Sequence, residues 1–358
     1  MTITTSPWAE HYLQAICAQP QFSETRAVAP LWLAGDPAAR RADAAPAAAR
    51  LTIQMAAEMF PRLVIAGAPG AGKTTTLRQL AFGIAESLQS APRRTIQSVP
   101  AALPIYVELA RFEQSIELTL ERAYGLGAPN LDELAAERPL LFLLDGLDEL
   151  AADAQLTSLA AIAQTAATLG TRARWIYTCR SENLPLFRPW LGAVEVRTLK
   201  PVRPADVVAM VQRRRGDAVA AWLSRADDLV ALATRPRWLA TLLDGTTLPS
   251  ALPISRGRVL ADWLPLVLSA TLRAHAAPAG SEAAAEALAP LANALDQQQR
   301  ESIPVAEALA AIEAGMTRRI DPAALLQALT GAAILTHDIE RQQVSFRHPT
   351  LRSFAQGM

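Results

Sequence analysis

Gly67-Ala68-Pro69-Gly70-Ala71-Gly72-Lys73-Thr74-Thr75 is the stretch whose reading decides the fold of this 358-residue chain. It fits the pattern G-x-x-x-x-G-K-[ST], in which a glycine-rich turn cradles phosphate. The context agrees on both sides. Arg62 to Ala66 (Arg-Leu-Val-Ile-Ala) reads as a short buried strand, and Thr75 to Leu88 reads as a helix with apolar residues at Leu77, Leu80, Ala81, Ile84 and Leu88. Strand, turn and helix N-terminus in that order gather backbone N–H groups and the positive end of a helix dipole around one small volume. A triphosphate is the expected occupant. The plainer alternative is a Gly-rich turn whose lysine is only solvated.

Outward from this stretch, residues 62–200 alternate strand and helix signals. Leu103 to Leu109, Pro139 to Leu144, Arg174 to Cys179 and Val194 to Leu199 read as further strands. Phe112 to Tyr124 and about Asp153 to Leu169 read as helices between them. Pro139 to Leu144 is apolar on both faces, as central parallel strands are. Strands separated by helices imply right-handed crossovers and a mainly parallel sheet. Before it, residues 1–60 read as helical and irregular: a short helix from Trp8, an apolar clip at Pro30 to Leu33, a loop or linker over Asp36 to Ala49, and a helix from Leu51 to Phe60 stopped by Pro61. After Lys200-Pro201 the strand signal stops and short helices follow, from Pro204 to Leu329. Two β-like runs, Ala333 to Leu335 and Val344 to Phe346, then read as a hairpin followed by a helix, the shape of a winged helix.

The totals bound the function classes. The length suffices for two or three domains with cores. A hydrophobic fraction of 51% and a mean hydropathy of +0.15 oppose global disorder. The 34 basic and 34 acidic residues cancel, so the charge balance asks for neither nucleic acid nor an anionic membrane. Cys17 and Cys179 form no framework or metal spacing. No signal pattern opens the chain, and the apolar run Leu260 to Ala277 is interrupted by Asp262, Pro265, Arg273 and His275. A soluble, cytoplasmic protein is expected. Heavy use of Ala, Pro and Arg fits a GC-rich bacterial genome.

The chemistry rests on a few side chains. Lys73 is placed to reach the β- and γ-phosphates, and Thr74 to put its hydroxyl on Mg²⁺. Asp145 ends an all-apolar strand, where an acid is expensive unless it serves something. That end of an open α/β sheet faces the nucleotide, so Asp145 is the expected acid on the metal side, with an N-cap as the alternative. Asp145-Gly146-Leu147-Asp148-Glu149 sets three carboxylates within five positions. Asp148 and Glu149 compete for the base that activates water, with a slight preference for Asp148; helix-start charge is the bland reading of either. Arg180 follows the fourth strand. If that strand neighbours the loop strand, its guanidinium can sense the γ-phosphate; an ordinary salt bridge is the alternative.

Four segments together resemble the NACHT-type NTPases of the STAND class (signal-transduction ATPases with numerous domains). They are Gly67 to Thr75; Leu140 to Leu150, similar to the hydrophobic strand followed by DGxDE; Thr178-Cys179-Arg180, similar to a T-x-R sensor; and Val344 to His348, similar to an F-x-H near the end of a winged helix. The resemblance implies an α/β P-loop NTPase with a parallel sheet ordered 5-1-4-3-2, followed by a small helical domain and a winged-helix domain. Segment boundaries follow at 1–60 (N-terminal helical or linker segment), 61–200 (NTPase), 201–250 (small helical domain) and 251–358 (winged helix). It implies ATP or ADP with Mg²⁺, bound by Gly67, Ala68, Pro69, Gly70, Ala71, Gly72, Lys73, Thr74 and Thr75, with Arg180 as sensor. Arg235-Pro236-Arg237 resembles the motif whose Pro packs on adenine, pointing to Pro236, although Arg235 stands where the family has Gly or Asn. His348 corresponds to the histidine that contacts the β-phosphate of ADP in a closed state, against a reading as a satisfied core histidine. Leu351 to Phe354 lacks the acid of the family's Q-E-[YF].

The expected function is an ATP/ADP switch with slow Mg²⁺-dependent hydrolysis that forms homo-oligomers on activation. It would be the core of a bacterial defence or signalling protein whose effector and sensor parts lie outside this sequence. The end at Gln356-Gly357-Met358 favours a fragment of a longer chain over a minimal member. A turnover ATPase of the AAA+ kind is the first alternative; it would want an Asp-Glu pair at the strand end, whereas Gly146 follows Asp145. A winged-helix nucleic-acid regulator is the second, opposed by the zero net charge and by Asp338 and Glu340 in the expected wing.

Overall fold

The computed structural model describes residues 6–23, 32–35, 51–68, 70–90, 102–243, 259–261, 264, 281–315, 321–331, 334–338 and 341–356. The chain divides into two compact units, residues 1–68 with 72–200, and residues 69–71 with 201–358.

In chain order the first unit contains α1 (Pro7–Ala18), α2 (Pro20–Ser23), β1 (Trp32–Gly35), β2 (Leu51–Thr52), α3 (Ile53–Met59), β3 (Arg62–Ala66), α4 (Lys73–Ser90), β4 (Leu103–Glu108), α5 (Ile116–Tyr124), α6 (Leu131–Glu137), β5 (Leu140–Asp145), α7 (Gln155–Leu169), β6 (Ala173–Cys179), α8 (Leu184–Leu191) and β7 (Glu195–Leu199). The sheet order is β2-β1-β7-β3-β6-β5-β4. From β7 to β4 all pairings are parallel, while β1 runs antiparallel to both β7 and β2. Counted along the chain as strands 1 to 5, the parallel set β3 to β7 lies in the order 5-1-4-3-2.

The sequence explains the centre of this sheet. Every residue of β5 is buried, which its unbroken apolar run requires. Phe142 on β5 faces Trp175 on β6 in register, and their rings stack with centroids 4.1 Å apart. Both are fully buried, and each such aromatic contributes on the order of 2–3 kcal/mol through burial. Helices start where polar caps fall: Ser115 accepts from the N–H of Leu118 and Asn130 from that of Glu133.

The second unit opens with four helices, α9 (Pro204–Arg215), α10 (Asp217–Leu223), α11 (Asp227–Ala233) and α12 (Pro236–Leu243). Proline starts α9, where its missing N–H costs no bond, and Asp206 in the first turn and Arg213, Arg214 and Arg215 in the last match the ends of the helix dipole. Further on lie α13 (Ser281–Gln297), β8 (Ser302–Pro304), α14 (Val305–Gly315), α15 (Pro322–Gly331), β9 (Leu335–Asp338), β10 (Gln343–Phe346) and α16 (Pro349–Gln356). The three strands form an antiparallel sheet, β8-β10-β9.

Some elements differ from the sequence reading. The apolar clip after Pro30 contains a strand, β1, and Leu51–Thr52 is a strand before α3 begins, so the segment 1–60 is not only helix and linker but supplies an edge of the sheet. The short helices α6 and α8 and the strand β8 have no counterpart in that reading. The helix expected over Arg258 to Ala276 lies mostly outside the described residues, as does the linker Asp36 to Ala49. Among the described residues no helix is long and apolar enough to cross a membrane.

Candidate functional site

The Gly-rich turn leaves β3 and enters α4 directly. Gly70 and Gly72 have φ of 72° and 96°, left-handed values that a side chain would strain. Pro69 lies outside the described residues. The turn is tied to the neighbouring strand by a bond from the Gly67 N–H to the carbonyl of Cys179, 3.3 Å long. Lys73 is the first residue of α4. Its Nζ donates to the carbonyls of Gly67 (2.7 Å) and Ala68 (3.2 Å), so the ammonium curls back over the loop. Desolvation pulls its pKa down, with Asp148 opposing. Thr74 and Thr75 occupy the first turn of the helix and are half-buried.

The carboxyl end of β6 lies beside this loop strand and that of β5 one strand further, because β6 is hydrogen-bonded both to β3 and to β5. Asp145 is 6% exposed. Its Oδ1 accepts from the Thr178 hydroxyl (2.6 Å) and its Oδ2 from the Tyr106 hydroxyl (3.0 Å). Thr178 Oγ1 in turn accepts from the Gly146 N–H (2.7 Å). Asp148 is held by Arg180: its Oδ1 accepts from the Arg180 backbone N–H (3.0 Å), and its Oδ2 lies 2.9 Å from Arg180 Nε. The Asp148 side chain is only 3% exposed, so this is an ion pair shielded from water.

Glu149 differs from Asp148. The residue is exposed, yet its carboxyl folds back over Gly146; a Cβ on Gly146 would meet Glu149 Cδ at 2.9 Å. Gly146 also has a φ of 84°. The glycine of the Asp-Gly-x-Asp-Glu run is therefore needed twice, for its backbone angle and for the seat of that carboxyl. Partial desolvation, then the nearby charges of Asp145 and Asp148, push the Glu149 pKa up to about 7. The slight preference for Asp148 as base thus meets an acid committed to Arg180, beside a second acid whose basicity is raised.

Arg180 follows β6, and β6 does neighbour the loop strand β3, the condition for a γ-phosphate sensor. Pro236 and His348 belong to the second unit. Pro236 is buried at the start of α12. The adjoining Arg235 is pulled down to about 10 by desolvation and then by the Arg347 guanidinium. His348 is half-buried just before α16, where its Nδ1 accepts from the Thr350 N–H (3.3 Å) and its carbonyl from that of Leu351 (3.0 Å). It caps a helix, which neither sequence reading of it anticipated. Since Nδ1 accepts, the neutral ring carries its proton on Nε2.

The sequence reading passed over Arg78 and Tyr106. Arg78 Nε donates to the Tyr106 hydroxyl (3.0 Å), and its guanidinium also pairs with Glu108. A tyrosine amid the apolar residues of β4 was the signal, because a buried hydroxyl needs partners. Tyr106 and Glu108 also line a cavity of about 550 Å³ with Gln19, Phe112 and Tyr124, away from the Gly-rich loop.

Comparison with protein families agrees with this geometry. The NACHT domain model matches residues 62–218. That stretch is a NACHT domain. It is a P-loop NTPase domain, so it binds nucleotide and carries the machinery for hydrolysing it. No curated protein matches the chain. Among solved structures the chain is similar to the Walker-type ATPase PABY2304 of Pyrococcus abyssi, at 15% identity over 84% of this chain and 92% of that one, with a TM-score of 0.44. It is also similar to the ORC1 protein of Aeropyrum pernix in complex with DNA, at 15% identity over 83% and 86% with a TM-score of 0.39. A third is Cdc6p of Pyrobaculum aerophilum, at 18% over 83% and 87%, with a TM-score of 0.29.

Proposed function

We propose that the NACHT domain works as a nucleotide-controlled switch, with slow ATP hydrolysis resetting it. The observation that carries the reading is the gathering of Lys73, Asp145, the Asp148–Arg180 pair and Glu149 at the carboxyl ends of β3, β5 and β6. Only a ligand rich in negative charge uses such a set together: N–H groups of the loop, an ammonium, and an acid poised beside a helix N-terminus. The residues also fit a divalent ion, since Asp145 is a buried carboxyl oxygen donor and Thr74 a hydroxyl in the first turn of α4. Mg²⁺ held by these two would neutralise charge on the β- and γ-phosphates.

In this reading Lys73 exchanges the carbonyls of Gly67 and Ala68 for phosphate oxygens. Glu149 accepts a proton from the attacking water as its oxygen bonds to the γ-phosphorus. The bond from that phosphorus to the bridging oxygen breaks, and its electron pair leaves with ADP. The commitment of Asp148 to Arg180 favours Glu149 for this step. Arg180 would shift between Asp148 and the γ-phosphate, so the ion pair is the sensing element. By resemblance, Pro236 packs on adenine and His348 holds ADP in the closed state, with the second unit supplying a helical domain and a winged helix. Opening would lead to homo-oligomers and engage effector and sensor parts in defence or signalling.

The test is to purify the protein, denature it and identify the nucleotide released. Retained ADP, lost in Lys73→Ala, supports the switch. An empty site with fast turnover would instead favour a remodelling ATPase.

A further inference from the structure

Asp145 does not sit at the strand end by itself. Two hydroxyls hold it, and the direction of both hydroxyl protons follows from chemistry alone. An arginine side chain only donates, so the Tyr106 oxygen must accept from Arg78 Nε, and its single proton goes to Asp145 Oδ2. A backbone N–H only donates, so the Thr178 oxygen accepts from Gly146, and its proton goes to Asp145 Oδ1. Each carboxylate oxygen thus receives one fixed hydroxyl, and its remaining lone pairs stay available. Partners of this kind orient a metal-ligating carboxylate and set its strength.

The Tyr106 arm adds a link that Thr178 lacks. Arg78 lies four residues after Thr74 on α4, so the two share one face of the helix, a turn apart. Glu108 and Asp145 are direct neighbours across β4 and β5, two acids side by side at the sheet end. Arg78 answers both, pairing with Glu108 and reaching Asp145 through Tyr106. The helix that carries the Thr74 hydroxyl is thereby fastened to Asp145 through Tyr106.

We infer that Tyr106, held by Arg78, is a positioning residue that sets Asp145 against Thr74 for a divalent ion. The inference rests on the nucleotide reading above. It makes the Mg²⁺ dependence of nucleotide binding, rather than nucleotide binding itself, the property that Tyr106 controls.

Tyr106→Phe keeps the ring, which packs edge-on against Phe22 with centroids 5.1 Å apart, and removes only the hydroxyl. Binding of a non-hydrolysable ATP analogue is followed while Mg²⁺ is titrated. The half-saturating Mg²⁺ concentration is expected to rise by about 10- to 100-fold in the variant. Affinity for the analogue in excess chelator is expected to stay within twofold. An unchanged Mg²⁺ midpoint overturns the inference, as does an equal loss of affinity with and without metal, which would mark a purely structural role. Should Tyr106→Phe fail to fold, Arg78→Met removes the donor that aims the hydroxyl; a rise of at least threefold supports the inference, and no rise overturns it. If the unaltered protein binds the analogue with no Mg²⁺ dependence, the ATPase reading fails together with this one. A Mg²⁺-dependent parent whose variants match it sinks this inference alone.

Discussion

Desolvation of the Glu149 carboxyl, folded back over Gly146, and then the charges of Asp145 and Asp148 push its pKa up to about 7. Two consequences follow for this one side chain. In the proposed role of base Glu149 must be ionised, so on that proposal turnover is expected to climb as pH rises through about 7, and Glu149→Gln to lower it by roughly 10²- to 10⁴-fold while nucleotide is still bound. Steady-state rates from pH 5.5 to 8.5 check both. The stability effect runs the other way. The folded value lies above the ordinary one, so the folded state binds the extra proton, and stability is lost as pH rises from about 4.5 to about 7. Nucleotide-free Glu149→Gln is therefore expected to melt above the parent at pH 8 and level with it near pH 4. Gly146→Ala tests the seat itself: forcing a φ of 84° on alanine costs about 1–2 kcal/mol, and the Cβ displaces the carboxyl, so turnover is expected to fall by more than the small drop in melting temperature suggests. The cluster of acids was legible in the sequence. Which acid is free was not, because the partner that commits Asp148 lies 32 positions away at Arg180.

Among the elements, the sheet is most legible where burial is complete. The apolar run of β5 declares a central strand by itself, whereas β1 and β2 are short and owe their existence to pairing, β1 with the distant β7 and β2 with β1. Helix α8 carries Pro185 near its start and Pro189 inside, so its local signal reads as a breaker; burial of Leu184, Phe187 and Leu191 makes it a helix all the same. The N-terminal helix α1 shows what an element can do for an edge. Among the described residues strand β4 ends the sheet, leaving one row of backbone groups without a partner strand. Tyr12 from α1 closes part of it, accepting the Tyr106 N–H at 2.8 Å while its ring stacks on Trp8 at 4.8 Å. Tyr12→Phe would leave that buried N–H unsatisfied, at about 1–3 kcal/mol, or a melting temperature lowered by roughly 2–10 °C. Thermal unfolding reads this directly. A shift under 1 °C would mean that water takes the place of the hydroxyl and that α1 is only packed against the sheet.

For the whole molecule the question is how much a single contact can do to a switch. Moving a two-state protein from 99:1 to 1:99 needs a differential affinity of about 10⁴-fold. His348 in its neutral form offers one donor, Nε2–H, because Nδ1 is engaged by Thr350. One hydrogen bond to a charged phosphate contributes about 1.5–3 kcal/mol, or roughly 10- to 150-fold. On the switch hypothesis, His348 therefore cannot hold the closed state alone. On that hypothesis the rest comes from the γ-phosphate end, where Arg180, paired with Asp148, would exchange that partner for the nucleotide. His348→Ala is accordingly expected to speed ADP release by about 10- to 100-fold without abolishing retention, and to leave Mg²⁺–ATP affinity within twofold. Stopped-flow displacement of a fluorescent ADP measures the first and equilibrium titration the second. If ADP release is unchanged while the melting temperature drops, His348 serves only as the cap of α16. The discrimination between ADP and ATP then falls to the first unit, where Asp148, Glu149 and Arg180 already stand within reach of one another.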